Sequence, residues 1–347
     1  ESGNILEESL REIGVVMRRD CWLHNAIICR PPKNRTPTDK ELEHCLPNMI
    51  RCIKELQPNV IIPLGARAVK SLIGWLWKPQ VGPMSRWDGW MIPVQSINTW
   101  VCPTWNPSHI LRNRKEHYGR TGIVRGVPRK ELLQELFWEP RLKAAFELEG
   151  RPWRTIPDYK KKVTPILDPD RAATYIATLT EAARLTKSPI AFDFETNMLK
   201  PDCDDARIVS CAVTDGVDCF AYPWHGVAIG ATRNLLRSPI PKRGFHIKFE
   251  ERWVIKEFGH GVRNWKWCGM IGAHTLDNRP GICGLDFQAF VLLGQAPWDS
   301  EVEPYFKSSN SNKPNRIHEV DLRKLLEYNG LDAVLEWEVA KKQRKQF

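Results

Sequence analysis

Three stretches in the second half of the chain space acidic side chains in ways that could hold a cation. In SPIAFDFETN, Asp193 and Glu195 stand two residues apart. On a strand, that period points both carboxylates to one face while Phe192 and Phe194 point to the other. Two carboxylates crowded on one face repel each other, which is unfavourable unless a cation neutralises them. In LLEYNGLDAVLEWEV, Tyr328 and Asp332 lie at i and i+4 of an expected helix, with Leu325 and Leu335 to anchor it. A phenol and a carboxylate one turn apart could position a water against a metal. Between these, RGFHIKFEERW places Glu250 at the opening of a helix that follows a short strand. Each stretch also has a plainer reading. Strand ends often carry exposed acids, tyrosines flank surface acids in many helices, and the helix dipole favours an acid in a first turn.

The first half raises a question about thiols. In NAIICRPPKNRTPTDKELEHC, a β-branched run ends in Cys29, and a proline-broken loop leads to Asp39, an expected helix N-cap, and then to Cys45. The ten cysteines of the chain form no tight repeating framework, which suits reduced thiols in a cytoplasmic protein better than disulfides.

The elements that must position these groups follow from pattern. At 347 residues the chain is long for one domain, and its 42% hydrophobic content can fill two cores. No apolar run approaches a membrane span, and no secretory signal is visible. A net charge of +10 favours a polyanionic partner, and fifteen tryptophans are enough both to fill cores and to stack on bases. The chain starts at Glu1 rather than Met, as a segment of a longer protein would.

From 5 to 111 helices and strands alternate. Helices are expected over 5–17, 42–56 and 66–73, the last closed by Gly74, and strands over 22–28, 59–64, 91–94 and 100–103. This is the pattern of an α/β domain with a mainly parallel sheet, whose ligands sit at the carboxyl ends of strands, near Cys29, Gly65 and Asn106. From about 112 to 165, with 116–165 as the expected connector, the pattern weakens into basic, proline-containing sequence with a helix over 132–148. Its two readings are a solvated connector and a phosphate-binding strip that includes Arg112, Arg114 and Lys115. From 166 a second α/β unit is expected: a helix over 172–185, a strand over 189–195, a hairpin turning at Asp215-Gly216, and helices over 249–258 and 322–342.

In this order the three acidic stretches resemble the 3′–5′ exonuclease domain of DNA polymerase I-type enzymes, the tyrosine-bearing branch of the DEDD superfamily, on a ribonuclease H-like fold. The stretch GMIGAHTLDNRPGICGLDFQAFVLLG adds to the likeness, which covers about 166–347. The resemblance implies two Mg²⁺ or Mn²⁺ ions about 4 Å apart. Asp193 would bridge them, Glu195 and Asp332 would complete one site, Glu250 would hold the other, and Tyr328 would orient the attacking water. His246 and Lys248 would face the nucleic acid. Two positions depart from the family pattern: His246 stands in the slot of an asparagine, and Glu250 in that of an aspartate.

The cysteine loop closely resembles that of the iron–sulfur (family 4) uracil-DNA glycosylases, and VIIPLGARAVKSLIG and PTWNPSHILRN resemble later segments of the same family. This likeness spans about 1–115 and implies an α/β/α sandwich. Cys29 and Cys45 would be half of a [4Fe–4S] site whose other pair precedes Glu1, so that a cluster forms only in a full-length protein. Asn25 would read the uracil edge. Asn106 takes the place of the family's closing histidine and could hold the flipped base, but an amide lacks the electrostatics of an imidazole. The Gly-Glu-x-Pro-Gly motif that activates water in that family is absent from this chain.

The expected architecture is therefore a glycosylase-like α/β domain, a connector and a mixed-sheet exonuclease domain. The expected function is metal-dependent trimming of single-stranded DNA or DNA 3′ ends, as part of a phage or bacterial DNA polymerase whose polymerase domain lies downstream or acts in trans. The alternatives are uracil excision in base-excision repair and a non-catalytic DNA-binding platform.

Overall fold

The computed structural model describes the backbone of residues 2–118, 123–124, 127–128 and 134–347, and the side chains outside 113–133. The chain divides into two compact units: Glu1–Ile156 with Phe290–Ala296, and Pro157–Ala289 with Pro297–Phe347. Among the described residues no helix is long and apolar enough to cross a membrane.

The first unit opens with helix α1 (Ser2–Glu12), which ends just before Gly14 at φ 80° rather than running on to Met17. Helix α2 (Asp39–Leu56) begins at Asp39 itself, and its cap lies one residue earlier than expected. Thr38, not Asp39, accepts the Glu41 N–H, and the Glu41 carboxylate returns to the Thr38 N–H, which makes a capping box. Strand β1 (Val60–Ile61) leads through Gly65 to helix α3 (Ala66–Leu76), which runs through Gly74 instead of stopping there. Strands β2 (Ile92–Val94) and β3 (Thr99–Val101) complete a sheet in the order β1-β3-β2. The pairing β1–β3 is parallel and β2–β3 antiparallel, so this small sheet is mixed rather than mainly parallel. Helix α4 (Pro107–Tyr118) and helix α5 (Glu139–Phe146) follow. Ile5 of α1, Ile110 of α4, Trp138 and Leu142 of α5 close one core, and the Trp77, Trp87 and Phe290 rings pack into another contact set.

The strand expected over 22–28 does not form. Trp22, Leu23 and Ile28 are 71%, 54% and 59% exposed, so the β-branched run finds no sheet partner and no cover. Strand propensity is a statement about a half-buried surface, and here that surface is missing.

The second unit is a six-stranded mixed sheet. Strand β4 (Val163–Pro165), helix α6 (Pro169–Thr186), strands β5 (Ile190–Thr196), β6 (Ile208–Thr214) and β7 (Cys219–Pro223), helix α7 (Val227–Arg237), strand β8 (Lys242–Gly244), helix α8 (Ile247–Phe258), strand β9 (Trp265–Cys268) and helix α9 (Leu322–Gln343) follow in chain order. The strand order is β9-β8-β5-β6-β7-β4. Strand β6 runs antiparallel to β5 and β7, and β5, β8 and β9 are mutually parallel. This is the ribonuclease H-like arrangement that the sequence led us to expect. The hairpin turns where Asp215-Gly216 stands, with Gly216 at φ 91° and the Asp215 carboxylate accepting the Val217 and Asp218 N–H groups.

One face of the sheet buries Phe192, Phe194 and Tyr222 with Trp253, Ile176 and Leu235 from α8, α6 and α7. Helix α9 lies across the other face, where Gly330 lets its backbone approach closely. A Cβ at Gly330 would meet Val163 at 2.3 Å and Ala221 at 3.3 Å. Asp193 and Glu195 of β5 face α9, opposite the two phenylalanines, as their period of two requires.

Candidate metal centre

The sheet and α9 bring three carboxylates together. Ligand oxygens of Asp193, Glu195 and Asp332 all lie within 4.8 Å of one another. Two come from one face of β5 and the third from the fourth turn of the long helix above it. Asp193 and Glu195 are partly open to solvent and Asp332 is buried.

Glu250, three residues into α8, is 3% exposed, and its Oε2 has no hydrogen-bond partner among the described residues. Its charge bears on Asp193 and Glu195, which places it beside the triad rather than on the outer face of its helix. Burial dominates the electrostatics. It pushes Asp193 up to about 7, against a hydrogen bond from Asn329 that favours the charged form. Burial first, and then the neighbouring charges of Asp193, Asp332 and Glu250, hold the Glu195 carboxyl well above the ordinary range. Asp332 is raised by burial and by Asp193, with hydrogen bonds from Trp298 and Tyr328 in opposition. Burial, reinforced at Glu195, Glu250 and Asp332 by neighbouring charges, makes these acids resist ionisation, and a cation among them would favour the charged forms.

Tyr328 sits one turn before Asp332, half-buried, with its ring 5.3 Å from that of Phe306. His246 and Lys248 are exposed at the start of α8. The imidazole of His246 stacks on Phe249 at 6.3 Å between centroids and makes no capping hydrogen bond.

In the first unit the expected site residues do not converge. Asn25 is exposed, on the irregular segment where the strand was expected, and not in the buried setting that base reading requires. Asn106 is exposed and committed to its own helix. Its Oδ1 accepts the Ser108 N–H at 2.9 Å and the Ser108 hydroxyl at 2.7 Å, while its amide donates to Leu64 O at 3.3 Å. It is the N-cap of α4. Cys29 is exposed and Cys45 buried, and among the described residues no third metal-binding side chain joins them. The loop between them is tied down by Arg35, which forks onto the Glu41 carboxylate at 2.9 and 2.7 Å. Arg112 is exposed and reaches the Ser108 hydroxyl at 3.4 Å, and the side chains of Arg114 and Lys115 lie outside the described residues.

Residues 1–136 match the model of the uracil DNA glycosylase superfamily. The type-4 uracil-DNA glycosylase of Thermotoga maritima is 33% identical over 128 residues, 34% of this chain and 59% of that protein. Its counterpart from Pyrobaculum aerophilum is 34% identical over 113 residues, 32% of this chain and 57% of that protein. The chain thus spans little more than half the length of these relatives. Among solved structures, Escherichia coli RNase D, an exoribonuclease involved in structured RNA processing, covers 53% of this chain at 15% identity, with a TM-score of 0.40 and 44% of its own length aligned.

Three residues of the centre were missed in the sequence. Asn329 donates to Asp193 Oδ2 at 2.7 Å and accepts from the buried Ser210 hydroxyl at 2.9 Å, which fixes the carboxylate from the side. Trp298 donates its indole N–H to Asp332 Oδ1 at 2.5 Å. Glu336 is 4% exposed and lies one turn beyond Asp332. Only Glu336 carried a readable signal, the i, i+4 spacing in LDAVLEWEV. Asn329 and Trp298 reach the centre through tertiary packing.

Proposed function

We propose that the second unit is a divalent-metal-dependent 3′–5′ exonuclease of the proofreading type, acting on single-stranded DNA or DNA 3′ ends. The first unit, on this reading, is a glycosylase-like DNA-binding module, and the two belong to a phage or bacterial DNA polymerase. The observation that carries the nuclease reading is the convergence of Asp193, Glu195 and Asp332 within 4.8 Å, with a buried and unpartnered Glu250 oxygen beside them.

The donor set fits Mg²⁺ or Mn²⁺. Every donor is a carboxylate oxygen, with no thiol or imidazole among them, and hard octahedral cations prefer that chemistry to the nitrogen and sulfur ligands of zinc. Two such ions would supply a nucleophilic water at neutral pH and neutralise charge on the scissile phosphate. The chain's own residues do the rest. Asp193, Glu195 and Asp332 would hold one ion, and Glu250 would contribute to the second. Asn329 and Trp298 each occupy one carboxylate oxygen and so set the direction of the other. Tyr328 holds its phenol one turn from Asp332, where it can orient the attacking water.

The test is direct. The full chain, given a 5′-labelled single-stranded oligonucleotide with Mg²⁺ or Mn²⁺, should produce a ladder shortened from the 3′ end, and Asp193→Ala should abolish it. Absence of cleavage in the unaltered chain would return both units to a purely binding role.

The match of residues 1–136 to glycosylases raises uracil excision as a second reading. The placement of Asn25 and Asn106 supports binding without excision. A uracil-containing single strand, incubated with the full chain in EDTA and then cleaved with alkali at abasic sites, should remain intact. Uracil-dependent breakage would make the first unit an active glycosylase.

A further inference from the structure

We propose that Glu336 is a fifth carboxylate of the centre and that, together with Glu250, it forms the protein's grip on the second divalent cation. This deepens the nuclease reading and rests on it. Glu336 projects from α9 one turn after Asp332, so both face the sheet. It is 4% exposed, and its Oε2 has no hydrogen-bond partner. The charges of Asp193, Glu250 and Asp332 all bear on it, and the backbone N–H of Phe245 is its hydrogen-bonding neighbour. Phe245 closes the link between β8 and α8, immediately before the helix that carries Glu250. Glu336 on α9 and Glu250 on α8 are each deeply buried, and each has one oxygen that no group among the described residues satisfies.

A buried carboxylate oxygen without a partner is strongly unfavourable unless a proton or a cation meets it. Among the described residues no basic side chain pairs with either glutamate. The buried guanidinium of Arg243, on the neighbouring strand, lies over the Trp337 ring at 5.3 Å instead. Two buried orphan oxygens, on glutamates that both feel the charge of Asp193, are the donors from which a second oxygen-lined site beside the triad would be built. Glu336 also bears on the departure at Glu250. Glutamate is one methylene longer than aspartate, and a second carboxylate from α9 would add negative charge to the donors available to that ion.

The experiment is a Mn²⁺ titration of the full chain, followed by calorimetry and by loss of the free-ion paramagnetic resonance signal, neither of which depends on turnover. The unaltered chain should bind two ions, and Asp193→Ala should weaken both. Glu336→Gln keeps the shape of the side chain and removes its charge. It should leave the first ion in place, weaken the second at least tenfold, and leave the metal-free melting temperature equal or higher, because a buried carboxyl has been replaced by an amide. Glu336→Asp should give an intermediate affinity for the second ion. Two ions with unchanged affinity in Glu336→Gln would overturn the proposal and leave the nuclease reading standing. One ion in the unaltered chain, insensitive to Glu336→Gln, would do the same. No Mn²⁺ binding in the unaltered chain would remove both.

Discussion

Each unit departs from the family pattern that its sequence resembles, and one departure in each has an opposite structural fate. In the second unit Glu250 stands where an aspartate is usual, yet its carboxylate is buried toward the triad and keeps an oxygen free. In the first unit Asn106 stands where a histidine is usual, and both ends of its amide are engaged by Leu64 and Ser108. What separates them is unfilled bonding capacity. A polar group that is buried and unsatisfied is waiting for a ligand, whereas one that completes the hydrogen bonds of its own helix has its role already.

The sharpest way to break this comparison is to remove a carboxylate that both the triad and Tyr328 depend on. Asp332→Ala should lower exonuclease rate by about a thousandfold or more, since it deletes an ion ligand and the partner of the oriented water. DNA binding measured by anisotropy in EDTA should survive, because the first unit is untouched. Equal loss of binding and cleavage would mean that the two units do not divide the labour in this way.

A second test uses acidity. Burial pushes Asp193 up to about 7 in the metal-free protein and holds Glu195, Glu250, Asp332 and Glu336 well above the ordinary carboxylate range. Between the unfolded value near 4 and the folded value near 7, the native state keeps protons that the unfolded chain has released. Stability of the metal-free chain therefore falls as pH rises through that window. The metal binds the ionised forms and should reverse the trend. Melting temperatures in EDTA are expected to drop by several degrees between about pH 5 and pH 8, and to hold or rise with millimolar Mg²⁺. A metal-free protein whose stability is flat across that range would show that the acids are not packed together as described.

How much of this was legible in the sequence depends on how local each signal was. The Asp193–Glu195 pair, the Asp215-Gly216 hairpin and the α8 and α9 helices are written in periodicity and turn chemistry, and the structure places them as read. The expected strand at 22–28 failed because propensity cannot tell whether a covering surface exists, and Trp22 is left exposed. Asn329 and Trp298 could not be read at all, since nothing in their own neighbourhoods points at Asp193 or Asp332. Gly330 is a middle case. A glycine inside a long helix invites a packing explanation, but the partner, Val163, lies far away in sequence.

That glycine supplies the third test. With Val163 2.3 Å from where a Cβ would sit, Gly330→Ala should force α9 away from the sheet. The expected loss is about 1–3 kcal/mol in denaturant unfolding, typical of overpacking, despite the better helix propensity of alanine. Because Asn329 and Asp332 flank the site, exonuclease rate should fall as well. Activity that stays unchanged while stability falls would mean that the centre tolerates movement of its own scaffold.

The smallest effect belongs to Asn106, and it decides what that residue is for. As the N-cap of α4 it accepts the Ser108 N–H at 2.9 Å, one of the donors that the first helical turn cannot satisfy internally. Serine ranks with asparagine as a cap, whereas alanine has no side-chain oxygen. Asn106→Ser should therefore keep both stability and DNA affinity, and Asn106→Ala should lower stability by about 1 kcal/mol with little change in affinity. A base-contacting amide predicts another pattern. Serine would then fail along with alanine, and both would weaken binding to a strand with an unpaired uracil more than to one with thymine. Measured on the full chain by chemical unfolding and by anisotropy in EDTA, the serine variant separates the two outcomes. Retained affinity for the uracil strand leaves Asn106 as a cap, and selective loss makes the first unit a base reader after all.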